Sequence, residues 1–311
     1  MKPKLNNQRC LIAIFSLTVI GAATAPAQSD FLLTPPSRSV TETNQPPLVH
    51  AVLDTSFTAE GQAKYLGLKH GDSDAFNVGL GVNTVVPLNE HWMVPLNLMS
   101  QNYWLESVPG APVPTHLNTL GLGVGLGYRA SDDWLFMGRI SPSLYRFGDV
   151  NSDDVGVAGG VTALWRYSAT LQFLFGIMAA PDSDLKVLPM AGVYWRINDQ
   201  WNLSVMFPQP RLTYLPDEHW RFYAGANVSG TTFRTADTLG ADLGQPRYNN
   251  ALGTYRDVRL GAGAGYKLNR NLRAEVEAGY SIWRQIDYSD IDQTIKFDPA
   301  PYVRIGINVG F

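Results

Sequence analysis

From about residue 50 onward, apolar and polar side chains alternate with period two, the spacing of an extended strand whose successive side chains point to opposite faces. Leu120, Leu122, Val124, Leu126 and Tyr128 fall on one face, and Gly121, Gly123, Gly125, Gly127 and Arg129 on the other. Trp134, Phe136 and Ile140 oppose Met137, Arg139 and Ser141, and Val155, Val157, Val161, Ala163 and Trp165 oppose Gly156, Gly160, Thr162 and Arg166. The same split recurs from Leu171 to Ile177, Trp220 to Val228, Val258 to Leu268 and Leu272 to Tyr280. Many runs last about ten residues, which suits a tilted strand crossing a membrane better than the ~5–6 residues usual in soluble sheets. The pattern predicts an all-β protein.

A repeated turn separates the runs. Asn89-Glu90-His91-Trp92, Ser131-Asp132-Asp133-Trp134, Asn198-Asp199-Gln200-Trp201 and Asp217-Glu218-His219-Trp220 share a turn former, two polar residues and a tryptophan; Asn269-Arg270-Asn271-Leu272 repeats the form with leucine last. Asn, Asp and Ser start tight turns by bonding nearby backbone. The tryptophan then opens the next strand on its outward face. In a membrane barrel that ring would sit at the headgroups, where an amphipathic aromatic is most stable. In a soluble sandwich the tryptophans would be core plugs with no reason to hug the turns.

Short turns fall near residues 89, 131, 168, 199, 217 and 270. The opposite connections read as longer and acidic: 60–73, 106–115, 148–154, 180–184, 232–253 and 287–299. Both termini on the short-turn side require an even strand number. An antiparallel up-and-down β-barrel of about 14 strands follows if Pro208-Gln209-Pro210 is itself a tight turn; 12 is the fallback. Pro95, Pro142 and Pro189 fall inside strand runs, where a missing N–H breaks the ladder, so bulges are expected there.

The last run, Tyr302 to Phe311, alternates to its final residue: Val303, Ile305, Ile307, Val309 and Phe311 against Arg304, Gly306, Asn308 and Gly310. It resembles the targeting strand of Gram-negative outer-membrane β-barrels, which implies that Tyr302, Val309 and Phe311 belong to an assembly signal read by the barrel-assembly machinery. The other end of the chain has a short basic segment, an apolar run from Cys10 to Ala23, and Ala25-Pro26-Ala27. That is the form of a secretory signal peptide (residues 1–27) with cleavage after Ala27. Residues 28–47, rich in proline, read as a flexible periplasmic lead-in, and 48–311 as the barrel.

Composition narrows the functions. Cys10, the single cysteine, lies in the signal segment, so disulfides do not staple the exported chain. Removing Lys2, Lys4 and Arg9 leaves 21 basic against 27 acidic residues, a balance that excludes a broadly basic nucleic-acid binder. The inward rows carry Arg129, Arg139, Arg166, Lys186, Arg196, Arg221, Arg259, Lys267, Arg273 and Arg304, against Glu275 and Glu277. Charge facing lipid is costly, so these should face a lumen and favour anions through their field. Alternatively, the arginines pair with the two glutamates across a closed interior.

At Leu188 to Tyr214, and on through His219 to Gly230, the chain is similar to the core of an outer-membrane β-barrel family of unassigned function. The matching features are Pro189, Gly192, Trp195, Trp201, Phe207-Pro208, Pro210-Arg211, Tyr214, Trp220 and Tyr223. The resemblance implies barrel and outer membrane, and no chemistry.

Candidate chemistry is sparse. The glycines at 121, 123, 125 and 127 repeat inside a strand rather than turning into a helix, so they make no phosphate loop. The run from Asp149 begins like a calcium loop but has Asp154 where glycine is needed and Gly160 where glutamate is needed. His70 and His116 lie near the long-loop rim, where a lipid-modifying enzyme would place its site, yet neither sits in a serine-hydrolase motif. No catalytic residue, metal or cofactor is assigned. The leading expectation is passage of small solutes, anions favoured, by a porin-like barrel in contact with outer-membrane lipid and lipopolysaccharide. The alternatives are a non-conducting structural or adhesive barrel, and a lipid-acting surface enzyme.

Overall fold

The computed structural model describes residues 49–147, 151–182 and 186–311. The stretches read from the sequence as signal peptide and lead-in lie outside the described residues. Fifteen strands follow one another: β1 (Val49–Tyr65), β2 (Leu68–Pro87), β3 (Trp92–Leu105), β4 (His116–Arg129), β5 (Trp134–Leu144), β6 (Val155–Arg166), β7 (Leu171–Ala179), β8 (Val187–Arg196), β9 (Trp201–Met206), β10 (Arg211–Tyr214), β11 (Trp220–Arg234), β12 (Leu252–Lys267), β13 (Leu272–Tyr288), β14 (Gln293–Phe297) and β15 (Ala300–Gly310). Each pairs antiparallel with its neighbours, and the ring closes where β1 meets β14 and β15. β14 and β15 lie end to end between β13 and β1, interrupted at Asp298-Pro299, so they form one wall strand. The protein is a closed, up-and-down, 14-stranded barrel.

The short turns close as their side chains dictate. The Asn89 side-chain oxygen accepts from the N–H groups of His91 and Trp92, and Asn198 and Asp217 do the same for the residues two and three ahead. Ser131 and Ser168 do it through a hydroxyl oxygen. Each tryptophan opens its strand, and a belt of rings follows this rim: Trp92 with Tyr128 at 4.7 Å, Trp134 with Trp165 at 5.7 Å, Trp201 with Tyr214 and Trp220 with Tyr266, both at 4.8 Å. Between the rims the outward row is apolar and bare. Ile140 and Val161 are 61% and 63% exposed, with Leu80, Leu122, Leu260 and Ile305 beside them in the same state.

Several long-loop connections are shorter than expected. β1 and β2 run on through the segment 60–73 and meet in a two-residue turn, Leu66-Gly67, both with positive φ as a type I′ hairpin requires. The segment 287–299 is mostly strand, leaving only Ser289–Asp292 as a connection before β14. The three prolines make no bulges. Pro95 and Pro142 each interrupt pairing with β4 and leave the register unchanged on either side, while Pro189 pairs with β7 only. Register shifts occur instead in the β1–β2 pairing between Thr58 and Lys64, and at Ile282 of β13, left unpaired opposite Val258/Arg259 of β12.

Two departures from a regular cylinder shape the interior. β9 has 6 residues and β10 has 4, joined through Pro208-Gln209-Pro210, so they reach only part of the way up the wall. Val187–Ala191 of β8 therefore pair with β7 on one side and with no strand on the other. Proline is tolerated on such an edge because no partner needs its N–H. Across the gap, β11 keeps to the wall as far as Val228, whose N–H donates to the Pro208 carbonyl at 3.1 Å, and then bends inward. Ser229 to Phe233 are buried on both faces. Thr231 lies 2.5 Å from Thr119 of β4, which donates to the Thr232 carbonyl at 2.6 Å. Behind this bend an aromatic core, with Tyr65, Tyr103, Phe233, Tyr248, Tyr255 and Tyr288 at its centre, fills the long-loop end on the side of β1–β4 and β11–β14.

Candidate functional site in the lumen

Three regions make up the inner wall. The first is an ion-paired face on β1, β11–β13 and β15. Arg259 is fully buried and donates to Asp257 at 2.7 Å, Ser56 at 3.0 Å and Thr58 at 3.1 Å, with its guanidinium over the Tyr302 ring. Ser281 gives Asp257 a second bond at 2.6 Å. Arg304 bridges Asp54 and Glu277, Glu277 also accepts from Tyr302, and Arg211 lies 3.7 Å from it. Arg221 pairs with Glu275. A buried charge is tolerable only when partnered in this way. Sequence reasoning counted Glu275 and Glu277 as the offsetting carboxylates; Asp54 and Asp257 neutralise the same arginines and were missed. Both sit at inward positions of alternating strands, so parity alone would have found them.

The second region is amide-rich. Asn97 bonds Asn83 at 2.6 Å and accepts from Arg139 at 2.8 Å, and Asn77 bonds Gln101 at 3.1 Å. Among the described residues Arg139 has no carboxylate partner. The glycine row of β4 explains its placement: a methyl at Gly123 would collide with the Arg139 guanidinium, as one at Gly127 would with Met93. The inward glycines are thus seats for long side chains of neighbouring strands. Gly81 differs, because a Cβ there would meet nothing within 4 Å.

The third region covers β5–β9 below and beside the wall gap. Leu135, Met137, Leu164, Leu174, Met178 and Met206 point inward with Met93, and Leu188 and Met190 pack against them. Met side chains are unbranched and adaptable, so such a lining can reshape around an occupant. Toward the short-turn rim the lining turns polar. Gln172 stands opposite Tyr194, Tyr194 opposite Ser204, and Asn202 one inward step from Ser204. Gln172 Oε1, the Tyr194 hydroxyl, Asn202 Oδ1 and the Ser204 hydroxyl are buried and have no hydrogen-bond partner among the described residues.

The remaining basic residues of the inward rows, Arg129, Arg166, Arg196, Lys267 and Arg273, lie at the strand ends of the short-turn rim. Lys186 is the exception: it precedes β8 and is exposed. His70 faces the Pro109 carbonyl at 3.3 Å, and His116 stacks on Trp104 at 5.1 Å; neither ring meets a serine among the described residues. Of the calcium-like run, Asp149 lies outside the described residues, and Asp154 is a staple held by Arg146 and Arg234, each at 3.5 Å. Tyr302 is buried and faces inward, away from the outward row that ends in Phe311. Phe311 is exposed, and its backbone exchanges hydrogen bonds with Val49 at the seam.

A family model described as a domain of unknown function (DUF6268) matches residues 106–310. No curated protein matches the chain. Among solved structures, an outer membrane channel from Pseudomonas putida F1 is similar at 10% identity, covering 88% of this chain and 99% of that one, with a TM-score of 0.46. The Pseudomonas putida toluene transporter TodX is 10% identical over 86% and 90%, TM-score 0.44. The translocator domain of the autotransporter NalP from Neisseria meningitidis is 11% identical over 87% and 90%, TM-score 0.38. At these values the likeness goes no further than barrel architecture.

Proposed function

We propose that this chain, which belongs to the DUF6268 family, is an outer-membrane barrel that lets small solutes cross. The bare apolar belt above the aromatic short-turn rim would be a large exposed hydrocarbon patch in water and is at home in a bilayer. The observation that carries passage is the uneven interior. One side is sealed by ion pairs and aromatics. The other is lined by adaptable methionines. Buried polar atoms without a partner among the described residues occur on both sides, at Gln172, Tyr194, Asn202 and Ser204 here and at Asp54, Thr232 and Glu275 there, so the methionine lining is what sets the two sides apart.

Preference for anions belongs to this proposal in a reduced form. The central arginines are neutralised in place, and the inward basic residues of the short-turn rim are offset by Glu90, Asp132, Asp133, Asp199, Asp217 and Glu218 in the turns, so the field comes chiefly from Arg139. Purified barrel in a planar bilayer should give stable conductance steps. Reversal potentials should favour anions, less so as salt shortens the screening length from ~10 Å at 0.1 M to ~3 Å at 1 M. Arg139→Gln should weaken the preference. Cation selectivity overturns the anion reading, and absence of any conductance favours a non-conducting structural barrel.

A further inference from the structure

We infer that the bay formed by β7, β8 and β9 is a binding site for a small neutral amphipathic molecule, an alcohol or a phenol, held by its hydroxyl at the polar shelf. The inference rests on the channel reading and adds the chemical class of the solute. Gln172, Tyr194, Asn202 and Ser204 are each at least nine-tenths buried, occupy adjoining positions on three neighbouring strands, and present side-chain atoms without protein partners. Leaving such groups unmet is costly. Other unmet atoms, such as those of Ser229 and Thr232, are enclosed by the packed aromatic end, whereas these four border a methionine lining that can reshape around an occupant.

Their chemistry selects the head group. Two are amide oxygens, which only accept; two are hydroxyls, which donate and accept. A ligand satisfying both kinds must itself donate and accept, as an alcohol or phenol does. A carboxylate offers no donor to the amide oxygens. An ammonium donates but offers the two hydroxyls no acceptor. Above the shelf, Met190 and Met206 continue the bay as an apolar sleeve toward the wall gap, which suits a hydrocarbon body and gives no hold to a second polar end. Size is limited by strand spacing: the shelf spans three strands, ~10 Å at ~4.8 Å each.

The test uses the full barrel in detergent with naphthol, naphthoate and naphthalene as probes, binding followed by probe fluorescence. Naphthol should bind saturably and more tightly than either analogue. Tyr194→Phe and Ser204→Ala should each weaken naphthol about fivefold, the size of one hydrogen bond. Neither should lower the urea midpoint, because each removes a hydroxyl the folded protein leaves unmet. Equal binding of naphthol and naphthalene, tighter binding of naphthoate, or unchanged naphthol affinity in both variants would overturn the assignment. Conductance of the same preparation in a planar bilayer separates the two readings. Conductance without naphthol binding removes the bay alone, and naphthol binding without conductance leaves the bay and removes the channel.

Discussion

Replacing Arg259 with methionine tests whether the lumenal arginines hold the wall together. The change keeps the bulk of the side chain and removes every donor. Asp257, fully buried, would lose its 2.7 Å partner and keep only the Ser281 hydroxyl, while Ser56 and Thr58 would lose theirs. Breaking a buried pair from one side costs about 3–5 kcal/mol, because the remaining charge is stranded away from water. Removing both charges, as Arg259→Met with Asp257→Leu, should return stability to within ~1 kcal/mol of the parent or above it. The double-mutant cycle therefore predicts a large positive coupling. Urea unfolding from lipid vesicles, followed by tryptophan fluorescence and by heat-modifiable gel mobility, measures all four corners. A loss below ~1 kcal/mol in the single variant, or additive losses in the double, would refute the reasoning. The same logic covers Arg221 and Glu275. Replacing Arg139, Arg221 and Arg259 together would therefore unfold the wall as well as change its field, and Arg139→Gln alone is the cleaner probe of selectivity.

Leu80→Arg, on the outward row, should cost about 2–4 kcal/mol in a bilayer, whereas Gly81→Ser one position along should stay within ~0.5 kcal/mol because its Cβ enters open space; equal costs in vesicle unfolding would argue for two buried faces. Deleting Phe311 removes the last outward side chain and the seam bonds to Val49, and should lower heat-modifiable protein in the outer membrane while export continues; normal amounts would count against the targeting role. Backbone donors from Trp220 and His219 hold the Asp217 carboxyl below its ordinary range. The support it gives the turn is therefore full above the unfolded carboxylate pKa and is lost as pH falls through the lower folded value. A carboxyl NMR titration of Asp217 at or above the free value would contradict this.

How much could be read in advance differs by feature. The strands were legible because period two survives wherever one face meets hydrocarbon and the other a lumen, and the turns because Asn89, Ser131, Asn198 and Asp217 carry their own acceptors. Strand continuity was underestimated at 60–73, where Glu60 and Asp72 looked like loop charge and are strand residues at the rim. The inward bend of β11 was hidden for a different reason. At Ser229 to Phe233 alternation stops, since both faces are buried, and a polar stretch in a barrel reads as loop. Ion-pair partners were out of reach in sequence order: Arg304 and Asp54 lie 250 residues apart and meet only because the ring closes. The methionines were visible singly, but only the register of β5 to β9 gathers them into one lining. Likewise, the glycine row signalled close approach, and the side chains seated on it needed the neighbouring strands.

Depth-dependent quenching by brominated lipids tests the central claim most directly, that a barrel with an apolar belt and aromatic rim lies in a bilayer. Trp92, Trp134, Trp165, Trp201 and Trp220 form the short-turn rim of the outward surface. In reconstituted vesicles their emission should be quenched, most strongly by bromines close to the headgroups and less by bromines near the chain ends. Emission indifferent to bromine at every depth would mean that these rings never touch lipid, and would contradict the account.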